Sequence, residues 1–178
     1  MKKVFIFSLL VVLYAALCYS QSAAGKVNWM GFAKAVEKNK TTPKKIFIKV
    51  FASWCGYCKK MDDSTFTNKT IADYINKNFY AVKLNAESLD TMYFNGKMYV
   101  NPNPTVYRSK HQLASELLKG RLVFPSVVFL DEKLNEITLA QGYLLPKELE
   151  PYLKWVGENF YLKTIYEDFL KSFKGEIN

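Results

Sequence analysis

Apolar residues along this chain alternate between helical spacing and unbroken β-rich runs, and each change of period marks an element. From Asn28 to Lys38, Trp29, Met30, Phe32, Ala33 and Val36 recur at helical spacing, with Lys34, Glu37 and Lys38 off the stripe, so a helix is predicted. KKIFIKVFA (44–52) is dense in β-branched and aromatic residues and predicts a buried strand running straight into Trp54-Cys55. The next stretch lacks Gly and Pro and carries Met61, Ile71, Tyr74 and Ile75; it predicts helix, broken near Ser64 to Asn68. FYAVKLNAE (79–87) predicts a second strand. In TMYFNGKMYVN (91–101), Asn95-Gly96 between aromatic-rich runs signals a hairpin, because both turn residues must accept positive φ. Asn101-Pro102-Asn103-Pro104 then forbids regular structure, and HQLASELLKG (111–120) is a short helix closed by Gly120. FPSVVFLDE and NEITLAQGY predict two strands around a turn at Glu132 to Asn135. A helix from Pro146 to about Phe160 follows, then another over 162–173 with Leu162, Ile165, Tyr166, Phe169, Leu170 and Phe173 along one side. Packing on the domain, rather than a partner groove, is the expected role of that last stripe. The order makes a layered α/β domain, with no repeat or linker.

The N-terminus departs from this pattern. Lys2-Lys3, an apolar run from Val4 to Leu17, then Cys18-Tyr19-Ser20-Gln21 form the tripartite pattern of an export signal over residues 1–20, leaving a domain over 21–178. As a helix the apolar run reaches roughly 21 Å, short of a bilayer core of roughly 30 Å, so cleavage is favoured over a retained anchor. Cys18 as a lipid-attachment residue is the other reading, weakened by the bulk of Leu17. A periplasmic or secreted location is expected, with membrane contact only if the segment is retained or lipidated.

The formal charge of +9 comes almost wholly from scattered lysines, Arg108 and Arg121 being the only arginines. Such a spread fits a solvated surface rather than a nucleic-acid stripe, and can assist binding to acidic partners or an anionic membrane. Removing Cys18 leaves two of the three cysteines, Cys55 and Cys58, too few for a disulfide framework.

Four readings compete for Cys55-Gly56-Tyr57-Cys58. Haem attachment needs His where Lys59 stands. Structural zinc wants four ligands, and the chain offers two thiolates and the single His111. A purely structural disulfide over so short a loop gains little chain entropy. A working redox couple remains. With Cys55 at the mouth of a helix, unsatisfied amides and a dipole of roughly half a charge favour thiolate over thiol. Cys55 is then the attacking nucleophile and Cys58 the resolving one, with Gly56 easing the tight link and Trp54 shielding the sulfur.

These residues resemble the thioredoxin superfamily. FASWCGYCKKM is similar to its active-site segment, AVKLNAE (81–87) to its next strand, FPSVVFLDEKLNEITLAQG to its proline, hairpin and glycine, and PKELEPYL to the start of its last helix. The resemblance covers about 44–156 and implies a thioredoxin-like fold: a central mixed β-sheet flanked by helices, here with an inserted hairpin (about 88–110) and a C-terminal helical extension (161–174). It implies a thiol-disulfide oxidoreductase like exported bacterial thioredoxin-like proteins, acting on protein thiols and disulfides with an unidentified redox partner. Neither cofactor, metal nor nucleic acid is expected. A disulfide isomerase or oxidase, or a non-catalytic metal-binding or scaffold protein, are the alternatives. Pro125 corresponds to the family's cis-proline, which faces the cysteines and offers backbone pairing to substrate; Phe124 before it, with Trp54, Gly56 and Tyr57, completes the expected substrate surface.

Three departures stand out. The family's buried acid falls on Lys49, with Lys83 matching its companion lysine, so the proton acceptor for the resolving thiol is expected to be missing and the couple more oxidising than thioredoxin, unless Lys49 snorkels to the surface. Gly56-Tyr57 is similar to the Gly-Tyr of a periplasmic disulfide isomerase. The insertion either overhangs the site through Tyr93, Phe94, Met98 and Tyr99, or decorates a sheet edge.

Overall fold

The computed structural model describes residues 25–177. The expected export signal, with Lys2, Lys3 and Cys18, lies outside the described residues. Strand β1 (Trp29–Met30) is followed by α1 (Phe32–Thr41), β2 (Ile46–Phe51), α2 (Gly56–Ser64), α3 (Lys69–Asn78) and β3 (Tyr80–Asn85). The hairpin β4 (Met92–Phe94) and β5 (Lys97–Tyr99) precedes α4 (Gln112–Leu117), β6 (Ser126–Leu130), β7 (Glu136–Gln141), α5 (Pro146–Gly157), a 3-10 turn (Phe160–Leu162) and α6 (Tyr166–Ser172). The main sheet has the order β1-β3-β2-β6-β7, parallel from β1 through β2 and antiparallel beyond.

Every residue of β2 but the last is buried, because helices cover both faces of the central strand. Ile46, Ile48 and Val50 face one layer with Phe32 and Ala35 of α1 and Leu113, Ala114 and Leu117 of α4. Phe47 faces the other, with Met61 of α2, Ile71 and Ile75 of α3 and Leu149 and Leu153 of α5. On that second side Phe47 sits among the rings of Trp29, Phe66, Phe79 and Phe129.

Two expectations are corrected, and one open alternative is decided. Trp29 and Met30 are not helical: they pair in parallel with Ala81 and Val82 as an edge strand, and the helix starts after Gly31, which is extended at φ −73° and ψ 154°. The last helix is shorter than 162–173, because Ile165 is extended (φ −69°, ψ 156°) and caps α6. Its apolar stripe is split: Tyr166 stacks on Tyr152 at 4.1 Å and Phe169 and Phe173 join the core, while Leu162, Ile165 and Leu170 are exposed. The hairpin forms as expected, its turn at Asn95 (φ 48°) and Gly96 (φ 74°), and of the two roles open to it the structure shows the packing of aromatics on the core. Met92, Phe94 and Tyr99 pack into the α1 side of the core, with Phe94 edge-on to Phe32, and Tyr93 and Met98 face outward.

Candidate active site

Strand β2 ends at Phe51, and four residues later Cys55 caps α2 in extended conformation. Its Sγ accepts the Cys58 N–H at 3.1 Å, so the first sulfur lies against the unsatisfied amides of the helix start. Met61 is fully buried and holds α2 on the core. The two cysteines form a disulfide, their Cα atoms 5.2 Å apart. Cys55 keeps 9% of its surface exposed and Cys58 only 2%, so an incoming sulfur meets Cys55 first.

The expected substrate surface is partly assembled. Phe124 packs against the cysteine pair, and Trp54 stands edge-on to Phe124 at 6.0 Å. The Phe124–Pro125 peptide bond is cis. Pro125 is buried and its carbonyl accepts the Gly142 N–H at 2.8 Å, so it is already engaged within the sheet. Among the described residues no backbone hydrogen bond engages Phe124, which makes Phe124 the open backbone position beside the disulfide. Tyr57 projects outward, 65% exposed, its ring 6.2 Å from Tyr143. Gly56 corrects an expectation: a Cβ there would meet nothing within 4 Å, so the tight link does not depend on glycine.

Lys49 does not snorkel. It is fully buried, its Nζ donating to the Cys58 carbonyl at 2.9 Å and pairing with Asp62 Oδ1 at 2.8 Å. Lys83, its register partner on β3, reaches the same Oδ1 at 3.0 Å. An acid therefore neutralises part of this charge, supplied by α2 instead of β2. Asp62 lies four residues after Cys58, on the same helical face. Its Oδ1 is buried between the two ammonium groups, which hold it as a charged pair. Burial lowers the Lys49 pKa; the hydrogen bond and charge of Asp62 oppose this and the Lys83 charge adds to it.

Two further residues near the site had no signal in the sequence pattern. Glu87, just past β3, accepts from Ser53 N–H at 2.9 Å, Ser53 Oγ at 2.5 Å and Trp54 Nε1 at 3.1 Å, and faces Lys110 at 4.0 Å. Burial alone would raise its pKa, but the Ser53 and Trp54 hydrogen bonds and the Lys110 charge outweigh it and hold the carboxyl below its usual 4.5. A depressed carboxylate contributes stability that is present above 4.5 and lost as pH falls through the folded-state value. An acid titration of Trp54 fluorescence, with Trp29 and Trp155 replaced by Phe, should therefore show a transition below pH 4.5 that Glu87→Gln abolishes. A transition at or above that value would contradict the tether. Arg108 is the second such residue: its guanidinium lies over the Trp54 ring, 4.2 Å from the centroid. His111, a candidate zinc ligand from the sequence, is buried, with Nε2 bound to the Asp90 carbonyl and Nδ1 accepting from Leu113 N–H. Both ring nitrogens are engaged in capping and loop bracing.

Residues 32–157 match the family model of a thioredoxin-like domain. The chain belongs to the thioredoxin-like family. The match takes in α1, ahead of the core expected from position 44. Solved structures of the same fold include a thioredoxin-fold protein from Helicobacter pylori (TM-score 0.56, 20% identical, covering 72% of this chain and 79% of that one). DsbH oxidoreductase is similar with TM-score 0.53 at 20% identity, over 76% of this chain and 88% of its own. A putative disulphide-isomerase from Bacteroides thetaiotaomicron has TM-score 0.50 at 21% identity, over 80% and 98%. At these identities the likeness is one of fold. An uncharacterized protein of Caenorhabditis elegans is 34% identical over 68 residues, 38% of this chain; the aligned stretch spans only 9% of that longer protein.

Proposed function

We propose that this thioredoxin-like protein is an exported thiol-disulfide oxidoreductase that exchanges disulfides with protein substrates through Cys55 and Cys58. One observation carries the reading: the more exposed sulfur, Cys55 Sγ, accepts the Cys58 N–H at the start of α2, with its partner cysteine one turn on. In the reduced protein the Cys55 thiolate attacks a substrate disulfide, forming a mixed disulfide and expelling one substrate thiolate. Cys58, once deprotonated, then attacks Cys55 Sγ, closing the protein disulfide and expelling the second thiolate. The substrate gains two electrons and the protein loses two; a dithiol protein of the same compartment restores the reduced form. Run backwards, the same steps oxidise a substrate dithiol. Export rests on the N-terminal Lys2-Lys3, Val4–Leu17 and Ser20 pattern; among the described residues no helix is long and apolar enough to cross a membrane.

Of the groups in contact beneath the pair, two lysines face the one carboxylate of Asp62, with Asp63 acting on Lys49 at longer range. The positive balance of the contacting groups favours thiolate and hence the reduced form, so the reduction potential is expected above thioredoxin's roughly −270 mV. Equilibration with glutathione buffers, read by thiol alkylation and mass, tests both points. A single two-electron transition with the Cys55 thiol trapped first supports the proposal. A reduced protein that leaves an oxidised protein substrate unchanged would overturn it, and a potential at or below thioredoxin's would overturn the charge argument alone.

A further inference from the structure

The part of the insertion that reaches the site is the loop after the hairpin. Asn101, buried at its base, accepts from Asn103 N–H at 3.2 Å and from Ser109 Oγ. Val106 N–H donates to Asn103 O and Ser109 N–H to Val106 O, each at 3.0 Å. Lys110 Nζ donates to the Arg108 carbonyl, and His111 N–H ties the loop's end to Ala86 O at 2.8 Å. Within this braced loop Arg108 takes φ +58°, a left-handed conformation that a long side chain rarely adopts. The result is a guanidinium laid on Trp54 at 4.2 Å and 5.0 Å from the exposed Tyr107 ring.

The electrostatics are one-sided. Lys110 Nζ lies 5.4 Å from Trp54 and 6.0 Å from Phe124, with Glu87 as its counter-ion. On the far side of the disulfide Lys59 and Lys60 are exposed on α2, and Lys60 lies 5.2 Å over Tyr143. Glu87 is held by Ser53 and Trp54, and Asp62 by Lys49 and Lys83. Among the described residues no carboxylate pairs with Arg108. An exposed guanidinium, positioned at a backbone cost and lacking an acidic partner, stands on the ring of Trp54, the residue before Cys55, and that ring meets the Phe124 that packs on the disulfide.

Resting on the oxidoreductase reading, we propose that the 101–110 loop selects substrates, Arg108 on Trp54 binding an acidic side chain that flanks the reacting cysteine of a protein partner. The planar fork suits a carboxylate, and the exposed rings of Trp54 and Tyr107 supply apolar contact for the adjoining chain. Lys110 and the Lys59-Lys60 pair extend the attraction over a longer range, which acts on the association rate.

The test uses three peptides, each with one cysteine capped as a disulfide by 2-hydroxyethyl thiol and flanked by Glu, Gln or Lys. Stopped-flow exchange with the reduced protein is expected to run about threefold to tenfold faster on the Glu peptide than on the Gln peptide at low ionic strength, the ratio shrinking with salt. Arg108→Asn and Arg108→Asp keep a residue type tolerant of positive φ. The first should bring the Glu/Gln ratio close to one and the second should invert the preference toward the Lys peptide. Taking the ratio within each variant cancels any change in the common chemistry. Equal rates on Glu and Gln peptides in the wild type, or a preference that survives Arg108→Asn, would overturn the proposal while leaving the redox reading intact. Failure of the wild type to react even with the uncharged bis(2-hydroxyethyl) disulfide would remove the redox reading and the selectivity with it.

Discussion

Replacing Cys55 by serine is expected to abolish disulfide exchange, while Cys58→Ser is expected to halt it halfway, with substrate held covalently on Cys55. The asymmetry follows from position. Cys55 Sγ has the helix-start amides and the larger opening; Cys58 is almost wholly covered and faces inward. Only the first can meet a partner's sulfur, and only the second lies where it can displace that partner afterwards. Non-reducing gels after acid quenching, followed by mass spectrometry of the adduct, read both variants directly. A metal-handling dithiol would bind metal less well in either variant and accumulate no adduct. Adducts through Cys58 in the Cys55→Ser protein, in amounts equal to those through Cys55, would reverse the assigned roles.

The second large effect concerns the charges beneath the pair. Asp62→Asn should cost about 3 kcal/mol of stability, because it leaves the fully buried Lys49 ammonium facing a neutral amide, and breaking a buried pair strands a charge. Lys49→Met should cost far less, on the order of 1 kcal/mol, since Asp62 keeps Lys83 at 3.0 Å and its side chain retains 31% exposure. The double variant should therefore recover much of what Asp62→Asn loses. Urea midpoints of the oxidised proteins measure all three. A redox readout separates this from mere packing: Asp62→Asn adds to the positive charge beneath the pair, which should raise the potential. Equal destabilisation by Lys49→Met and Asp62→Asn would contradict the charge account.

The place of Lys49 on β2 predicts an absent acid when that strand is considered alone. Two spacings held the answer: Lys49 and Lys83 share a register and hence a sheet face, and Asp62 follows Cys58 at helical i,i+4 spacing. Joining them needed the packing of α2 on that face. Arg108 carries no signal in the sequence beyond being one of two arginines; its approach to Trp54 depends on a loop closed by Asn101 and Ser109, a contact that no periodicity records. Conversely, Trp29 and Met30 matched a helical stripe, yet they joined the sheet because β3 had an open edge beside them.

Local chemistry was legible from the residues alone. The β-rich run into Trp54-Cys55, the helix break at Ser64 to Asn68, the Asn95-Gly96 turn and the cysteine spacing all depend on interactions within a few residues, so the chain states them directly. What three-dimensional packing decided was which charges neutralise one another and which aromatic surface stays open. Those outcomes depend on contacts between residues far apart in the chain, such as Lys49 with Asp62 across two elements and Trp54 with Glu87 and Arg108, and such contacts exist only once the sheet and its helices have closed.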